Sequence, residues 1–267
     1  MCFSYMLKLN IDGAAVTVRP FFKTLKIMKL ITINSGSKGN CYLLQDTRGN
    51  CLMLEAGERL FDVKKALNFE ITNIDACLVT HEHGDHAGHV ADVLKTSIPV
   101  YCTEGTAKHI RTGRYKPQTV KCGEINSAGS FTFTAFHVRH DAEEPCGWLI
   151  YHEECGMVLF ATDAERLDHN VNGISTFLIE CNYDNDILID NVKKGIVAPD
   201  RAVRVRRSHM SIEDCIAFLG RNIDQQAQRV ILCHLSSQNS GENMAQTIHN
   251  IFSVPVFVAK AGVTIDL

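Results

Sequence analysis

Short apolar stretches, separated by segments rich in glycine, serine and asparagine, recur along the chain from residue 28 onwards. Each stretch is four to six residues long and rich in aliphatic or aromatic side chains, which predicts strands and not helices. The predicted strands cover residues 30–34, 41–45, 51–55, 76–79, 98–102, 131–136, 148–151, 157–161, 177–180 and 229–233. Glycine-containing polar segments between the first three strands are typical of turns in a meander.

Apolar residues spaced for one face of a helix occur at 61–67 and again at 87–94. Ser211 can cap a helix whose first turn is acidic, with residues 215–219 as its body. Strands and helices thus alternate with no repeat of fixed period. The pattern predicts an α/β domain with two sheets flanked by helices.

Residues 1–27 are weakly patterned, whereas Met28 opens a clean strand. The segment has basic and aromatic residues but no apolar core or small-residue cleavage site of a signal peptide. We therefore expect residues 1–27 to be an N-terminal extension, either disordered or not native, and residues 28–267 to form one domain. N-terminal sequencing of native protein tests this expectation.

Composition narrows the class of protein. The 267 residues are 45% hydrophobic and 21% charged, and no apolar run approaches the roughly 18 residues of a membrane helix. Eleven scattered cysteines without a Cys-x-x-Cys pair indicate buried thiols in a reducing cytoplasm. The formal charge of −3 excludes a broadly basic nucleic-acid binder. A local basic patch remains, formed by Arg201, Arg204, Arg206 and Arg207, unless this segment is a solvated charged loop.

The sequence His81-Glu82-His83-Gly84-Asp85-His86 directly follows the apolar run 76–79. Imidazole and carboxylate groups are ligands for zinc, manganese and iron, and a turn at a strand end can point several of them inward. The motif predicts a metal site, with a solvated histidine-rich loop as the alternative.

Three further candidate ligands also come just after predicted strands, where a rigid scaffold presents chemistry. They are His140, Asp163 and His234. Together with His81, His83, Asp85 and His86 they make seven candidates, enough for two ions that share a carboxylate.

These motifs, in this order, resemble those of the metallo-β-lactamase-fold hydrolases. Further segments resemble the YycJ/WalJ-like exonuclease branch: residues 34–41, His140-Asp141, 161–163, 180–182 and 234–236. The resemblance covers residue 28 to the C-terminus. It implies a four-layer αββα sandwich, in which two mixed β-sheets are flanked by helices.

By that resemblance, one ion is held by His81, His83 and His140 and the other by Asp85, His86 and His234, with Asp163 between them. His137 also lies near the strand end, but the His140-Asp141 pair fits the family pattern better. The lactam-hydrolysing branch generally has cysteine where Asp163 stands, so the carboxylate favours a phosphoesterase without excluding thioester hydrolases.

Two ions about 3.5–4 Å apart can share a hydroxide as nucleophile and stabilise both oxygens of an in-line displacement at phosphorus. Asp85 would bind metal and orient or deprotonate this nucleophile. His209 would contact the scissile phosphate or protonate the leaving oxygen, unless it is only a helix-entry residue.

Substrate contacts are expected from two asparagines and from the basic patch. Asn40 and Asn239 are candidates for phosphate donors, or else turn residues. Arg206 and Arg207, the arginines nearest His209, are candidates for the phosphate backbone.

The resemblance implies a phosphodiester hydrolase, in particular a 5′-to-3′ DNA exonuclease that uses two divalent ions, zinc first and otherwise manganese or iron. Three alternatives stay open: an RNA-processing ribonuclease, a glyoxalase-type thioester hydrolase and a metal-binding protein without turnover. Nucleic acid is the expected partner, with no membrane role.

Overall fold

A computed structural model of the chain describes residues 27–267 and two strands nearer the start, β1 (Leu7–Ile11) and β2 (Ala14–Val18). These two strands pair with each other as an antiparallel two-stranded sheet. The remainder of the expected extension lies outside the described residues. That residues 1–27 form an extension, either disordered or not native, and that residues 28–267 form one domain, stay predictions.

The first large sheet has seven strands in the order β16–β3–β4–β5–β6–β7–β8. Its strands are β3 (Lys29–Asn34), β4 (Cys41–Gln45), β5 (Cys51–Leu54), β6 (Ile74–Leu78), β7 (Val100–Thr103), β8 (Gln118–Val120) and β16 (Thr264–Asp266). The pairings from β16 to β5 are antiparallel, and those from β5 to β8 are parallel. The sheet is therefore mixed.

The second large sheet also has seven strands, in the order β15–β14–β13–β12–β11–β10–β9. Its strands are β9 (Ile125–Ala128), β10 (Phe131–His137), β11 (Cys146–His152), β12 (Gly156–Ala161), β13 (Thr176–Glu180), β14 (Arg229–Cys233) and β15 (Val256–Val258). Strands β9 to β12 pair antiparallel and β12 to β15 pair parallel, so this sheet repeats the plan of the first.

The helices of the described chain lie outside this pair of sheets. They are α1 (Leu60–Ala66), α2 (Gly84–Ala87), α3 (Val90–Val93), α4 (Glu104–His109), α5 (Asn185–Lys193), α6 (Pro199–Ser208), α7 (Ile212–Asn222) and α8 (Met244–Phe252), with a 3₁₀ turn at Ile71–Asn73. No helix in the described part of the chain has the length and apolarity to cross a membrane.

Three apolar clusters define the layers. One cluster joins the inner faces of both sheets and includes Leu54, Trp148 and Phe160. Another packs α7 and α8 on the second sheet, and a third packs α1 and α3 on the first. Neighbouring residues of β12 enter different clusters, Phe160 the inner one and Leu159 the outer one, because strand side chains alternate. The expected four-layer αββα sandwich of two mixed sheets is confirmed.

The parallel strands end where the candidate ligands begin, since the carboxyl ends of parallel strands meet at one edge of a sheet. Three residues just after such strands have left-handed backbone: Glu55 after β5, Asp163 after β12 and His234 after β14. Such conformations are uncommon for residues with a Cβ and cluster at functional sites.

Two predicted elements need correction. The single helix expected at 87–94 is divided into α2 and α3, because the chain turns at Gly88 and His89, where His89 N–H donates to Ala56 O at 2.8 Å. The arginine segment, for which a charged loop was the alternative, forms helix α6. Pro199 in its first turn suits a helix start, and apolar Ala202 and Val205 give it a packing face.

Candidate metal centre and cleft

The histidine motif is held by backbone hydrogen bonds from two neighbouring segments. His81 follows β6, and His83 is the residue before helix α2. Asn40 N–H donates to Asp85 O and Ala56 N–H donates to His86 O, each at 2.7 Å. These bonds fix α2 against the start of β4 and the end of β5, so the motif is part of the framework of the first sheet.

The first group of candidate ligands consists of His81, His83, His140 and Asp163, whose ligand atoms all lie within 4.8 Å of one another. His83 Nδ1 is 3.1 Å from both His81 Nε2 and His140 Nε2. Asp163 Oδ2 is 3.8 Å from His81 Nε2 and 3.6 Å from His140 Nε2. Three imidazole nitrogens and a buried carboxylate therefore converge on one point.

The second group consists of Asp85, His86, His234 and the same Asp163, again within 4.8 Å. His86 Nε2 is 3.2 Å from Asp163 Oδ2 and 3.4 Å from Asp85 Oδ2. His234 contacts both carboxylates, Asp85 through Nε2 at 3.8 Å and Asp163 through Nδ1. The structure thus brings all seven predicted ligands together, in the two expected sets, with Asp163 common to both.

The donor chemistry fits divalent ions. His140 Nδ1 is 2.8 Å from Ser208 O, and because a carbonyl only accepts, Nδ1 carries the proton. A neutral His140 then presents the lone pair of Nε2 to the first group. His86 Nδ1 lies 3.6 Å from Glu55 Oε1, beyond hydrogen-bond distance, and the carboxylate favours a proton on Nδ1 through its charge. A carbonyl or carboxylate behind a ligating imidazole is the usual support of a metal site.

In the first ligand group, burial and charge also set the protonation that metal binding needs. Burial lowers the pKa of His81 and of His140, which keeps both imidazoles neutral. Burial alone would raise the pKa of Asp163, but the charges of His234 and His86 outweigh it and hold that pKa well below the usual range. A neutral imidazole and an ionised carboxylate are the ligand forms. At His86, burial would lower the pKa, but the Asp163 carboxylate raises it well above its usual value, so an ion in the second group would displace a proton from that imidazole.

A third group, which the sequence did not predict as a site, joins Asp163 and His234 to Glu180 and His209. His209 Nδ1 is 2.7 Å from Glu180 Oε1, while Glu180 Oε2 accepts the backbone N–H groups of Ala164 and Met210. Glu180 is fully buried. Burial would lower the pKa of His209, but the charge and hydrogen bond of Glu180 raise it to about 9. His209 is therefore an imidazolium at neutral pH.

A cleft of about 570 Å³ opens above these groups. Its floor includes His83, Asp85, His140, Asp163, His209 and His234, and its walls include Ser37, Asp141 and residues of α6. Asp85 and His209, the predicted catalytic residues, both reach this cleft. His137, the alternative to His140, is exposed, and its backbone O binds His169.

The arginines on the cleft wall are Arg201 and Arg204, and the lining of the cleft does not include Arg206 or Arg207. A helix turns about 100° per residue, so Arg206 and Arg207 project from other faces of α6 than Arg201 and Arg204. Arg206 and Arg207 were predicted because they are closest to His209 in sequence. The arginines that line the cleft lie one to two helical turns before His209.

The two predicted asparagines are buried and engaged within the protein. The Asn40 side-chain amide lies 3.2 Å from Gly36 O, 3.3 Å from Asp85 O and 3.1 Å from His86 Nε2. Asn239 Oδ1 accepts from Asn191 Nδ2 at 2.9 Å, and its backbone N–H donates to Ser236. These contacts place Asn40 behind the second ligand group and Asn239 against helix α5, and neither lines the cleft.

Glu180 and Glu55 are the polar residues at the centre that sequence reasoning missed. A signal existed, because each is the last residue of a predicted strand, next to the positions where ligands follow, and Glu180 also opens the segment 180–182 that resembles the family. Both were assigned to the strands themselves.

Comparison with known proteins gives the class. The sequence profile described as "Beta-lactamase superfamily domain" matches residues 54–235, so the chain belongs to this family. The match agrees with the fold, and its range includes all seven ligand candidates, from His81 to His234.

Named relatives agree with this class. An exodeoxyribonuclease WalJ of Streptococcus pneumoniae is 26% identical over 255 residues, which is 89% of this chain and 91% of that protein. An exodeoxyribonuclease YycJ of Bacillus anthracis is 27% identical over 228 residues, 79% of this chain and 84% of that protein. The solved metallo-β-lactamase-fold protein YhfI of Bacillus subtilis superposes with a TM-score of 0.68 at 17% identity, over 90% of this chain and all of that one. The expected resemblance to metallo-β-lactamase-fold hydrolases and to the YycJ/WalJ branch is confirmed.

Proposed function

We propose that the chain is a phosphodiester hydrolase that uses two divalent metal ions and acts on DNA as a 5′-to-3′ exonuclease. The observation that carries the proposal is the position of Asp163, whose buried carboxylate belongs to both groups of ligands. The names of the WalJ and YycJ relatives, which match along most of their length, support DNA as the substrate. Zinc is the first candidate metal, with manganese and iron as the others.

In this proposal His81, His83 and His140 would hold the first ion, and Asp85, His86 and His234 the second. Asp163 belongs to both groups and would be shared. Bound ions would supply Lewis acidity towards the phosphate and would bring a water molecule closer to ionisation at neutral pH. Ser208 O keeps His140 in the orientation that this role needs, and the Glu55 carboxylate lies 3.6 Å from His86 Nδ1, where its charge acts on that imidazole.

Asp85 orients and deprotonates the attacking water. Its carboxylate lies between His86 and His234 and is 24% exposed, so it reaches the cleft, whereas Asp163 is 3% exposed. A general base must come within hydrogen-bond reach of the proton it takes. The more exposed carboxylate of the two is the one placed for that contact.

His209 protonates the leaving oxygen. Its Nδ1 is bound to Glu180, which leaves Nε2 as the donor for a group in the cleft. Because Glu180 keeps His209 protonated at neutral pH, the imidazolium also stabilises negative charge on the phosphate.

The reducing cytoplasm is the proposed location. None of the cysteines that the structure describes forms a disulfide, and all but Cys122 are buried. Persistent free thiols are typical of reducing compartments.

Three assays separate the proposal from its alternatives. Hydrolysis of bis(p-nitrophenyl) phosphate and not of a glutathione thioester is expected, together with two equivalents of bound metal. End-labelled DNA and RNA, single- and double-stranded, then give the polymer and the polarity of cleavage. Thioester hydrolysis alone would favour the glyoxalase type, preferential cleavage of RNA the ribonuclease, and metal without turnover a binding protein.

Asp85→Ala tests the proposed role of Asp85. We expect turnover of DNA and of the small diester to fall by several orders of magnitude, as when a nucleophile-activating ligand is lost, with the fold unchanged by circular dichroism. Asp92→Ala is the matched control, since Asp92 is half-exposed on α3 and pairs with Lys95. Near-native turnover by the Asp85→Ala protein would refute the mechanism.

A further inference from the structure

Helix α6 presents one of its faces to the cleft. Its lining residues are Asp200, Arg201, Arg204, Val205 and Ser208. Arg204, Val205 and Ser208 follow Arg201 by three, four and seven residues, the spacings of one side of an α-helix, and Asp200 lies beside that side. Two guanidinium groups therefore stand on the wall directly beside the candidate metal centre.

The end of this helix is attached to the centre itself. Ser208 O accepts the Nδ1 proton of His140 at 2.8 Å, and Ser208 Oγ donates to Arg204 O at 2.9 Å. His209, the next residue, ends the helix and binds the buried Glu180. The position of the two arginines relative to the ligands is thus fixed by the same bonds that orient His140 and His209.

The two arginines differ in what holds them. Arg204 Nη2 is 3.3 Å from Asp141 Oδ2, and the other oxygen of Asp141 is 3.2 Å from His140 Nε2. Arg201 is exposed, and among residues 27–267 it has no ion pair within 4.0 Å. The guanidinium group of Arg204 is therefore held beside the centre, and that of Arg201 is available to an anion.

The size of the cleft exceeds what a single phosphodiester needs. Its volume of about 570 Å³ is in the range of sites that hold ligands of several groups. Asp141 and Asp200 also line this wall, so an anion is attracted only where it meets the guanidinium groups. A chain of phosphates that lies along Arg201 and Arg204 would contact both guanidinium groups.

We propose that Arg201 and Arg204 form a subsite for the phosphates next to the scissile one, which makes the centre select a polynucleotide over a small diester or a thioester. The inference rests on the proposed function and deepens it. Phosphate contacts of this kind give affinity and register but no sequence preference. Cleavage is accordingly expected to be independent of base sequence.

Four single variants of the same helix test the subsite: Arg201→Gln, Arg204→Gln, Arg206→Gln and Arg207→Gln. Each removes one positive charge from an exposed position, so the change in net charge is identical and folding is not at risk. Arg206 and Arg207 lie off the cleft and serve as matched controls.

Two readouts are used for each variant. The first is kcat/KM for a single-stranded oligonucleotide and for bis(p-nitrophenyl) phosphate. The second is binding of a fluorescein-labelled oligonucleotide by anisotropy at several salt concentrations, in the Asp85→Ala background so that the strand survives.

We expect Arg201→Gln and Arg204→Gln to lower kcat/KM for the oligonucleotide about tenfold or more, the usual size for a lost charged hydrogen bond, and to leave the small diester within about twofold. The slope of log K against log salt is expected to fall by about 0.7 per arginine. The two control variants are expected to change neither quantity by more than about twofold.

Equal effects in all four variants, or an equal loss on the small diester, would overturn the subsite. Failure of the proposed function has a different signature, because a protein that hydrolyses no diester would still show whether oligonucleotide binding depends on Arg201 and Arg204 and not on Arg206 and Arg207.

Discussion

Glu180 controls the protonation of His209. Its carboxylate is fully buried and accepts three hydrogen bonds, from His209 Nδ1 and from the backbone N–H groups of Ala164 and Met210. The two backbone donors fix the carboxylate in place, so its charge acts on His209 from a constant position. A proton donor held in this way needs little reorganisation during the reaction.

Glu180→Gln is expected to shift the alkaline limit of activity to lower pH. With a pKa of about 9, His209 is protonated below that pH and loses its proton as the pH rises through it. Removing the charge of Glu180 lets the pKa fall towards the ordinary 6.5, so activity that depends on the imidazolium should decline near neutrality instead.

The measurement is the pH profile of kcat for the small diester. Glu154→Gln is a suitable control, because the Glu154 carboxylate binds Thr47 and lies at the turn between β11 and β12. A Glu180→Gln profile that overlays the wild-type profile would show that Glu180 does not control His209.

Among the connecting segments, the one after β5 depends on a glycine where two backbones meet. A Cβ at Gly57 would come within 1.8 Å of Asp85 O, whereas a Cβ at Gly84 would meet no atom within 4 Å. Both glycines flank the second ligand group, but only at Gly57 does another segment of backbone leave no room for a side chain.

Gly57→Ala is therefore expected to displace Asp85 and to weaken metal binding, while Gly84→Ala keeps it. Titration of the apo protein with zinc, followed by calorimetry, measures the stoichiometry and affinity. We expect a loss of affinity of at least tenfold for Gly57→Ala and less than twofold for Gly84→Ala. Equal affinities would mean that the second group tolerates movement of Asp85.

The sequence predicted the strands that carry ligands and missed elements that only packing defines. Strands β4 and β14 have the predicted bounds, because a continuous apolar run between turn residues has few alternatives. Helix α6 was not predicted, since four arginines obscure its narrow apolar face. Which arginines of α6 face the cleft depends on the helical conformation and on the contact of the helix with His140. The sequence alone therefore did not identify Arg201 and Arg204.

Over the whole molecule, the ligands come from both sheets. His81 to His86 follow a strand of the first sheet, and His140, Asp163 and His234 follow strands of the second. The apolar pattern predicts two sheets flanked by helices, but the stacking of the sheets that brings these distant segments together was predicted only through resemblance to a family. Bound ions would link the two sheets at this edge.

Removal of metal is accordingly expected to lower the melting temperature. Each ion present at a hundred times its Kd stabilises the native state by about 2.7 kcal/mol, and a domain of this size shifts by about 2–4 °C per kcal/mol. With two ions removed, we expect EDTA to lower the Tm of the loaded protein by about 10–20 °C in differential scanning calorimetry, and zinc to restore it.

Asp163→Asn is the comparison for this experiment, because it removes the carboxylate shared by both groups. Its Tm should respond much less to EDTA. If wild-type and variant proteins lose the same number of degrees, the chelator acts somewhere other than at the shared carboxylate.

The left-handed backbone at Asp163 and His234 affects the choice of knockout substitutions. Alanine at either position removes a ligand and also leaves a side chain that disfavours this conformation, so a loss of activity would mix two causes. Asparagine adopts left-handed φ several times more readily than most residues. Asparagine scanning therefore isolates ligand chemistry from chain geometry at these two positions, and the further loss of stability in a valine variant of the same position measures the cost of chain geometry.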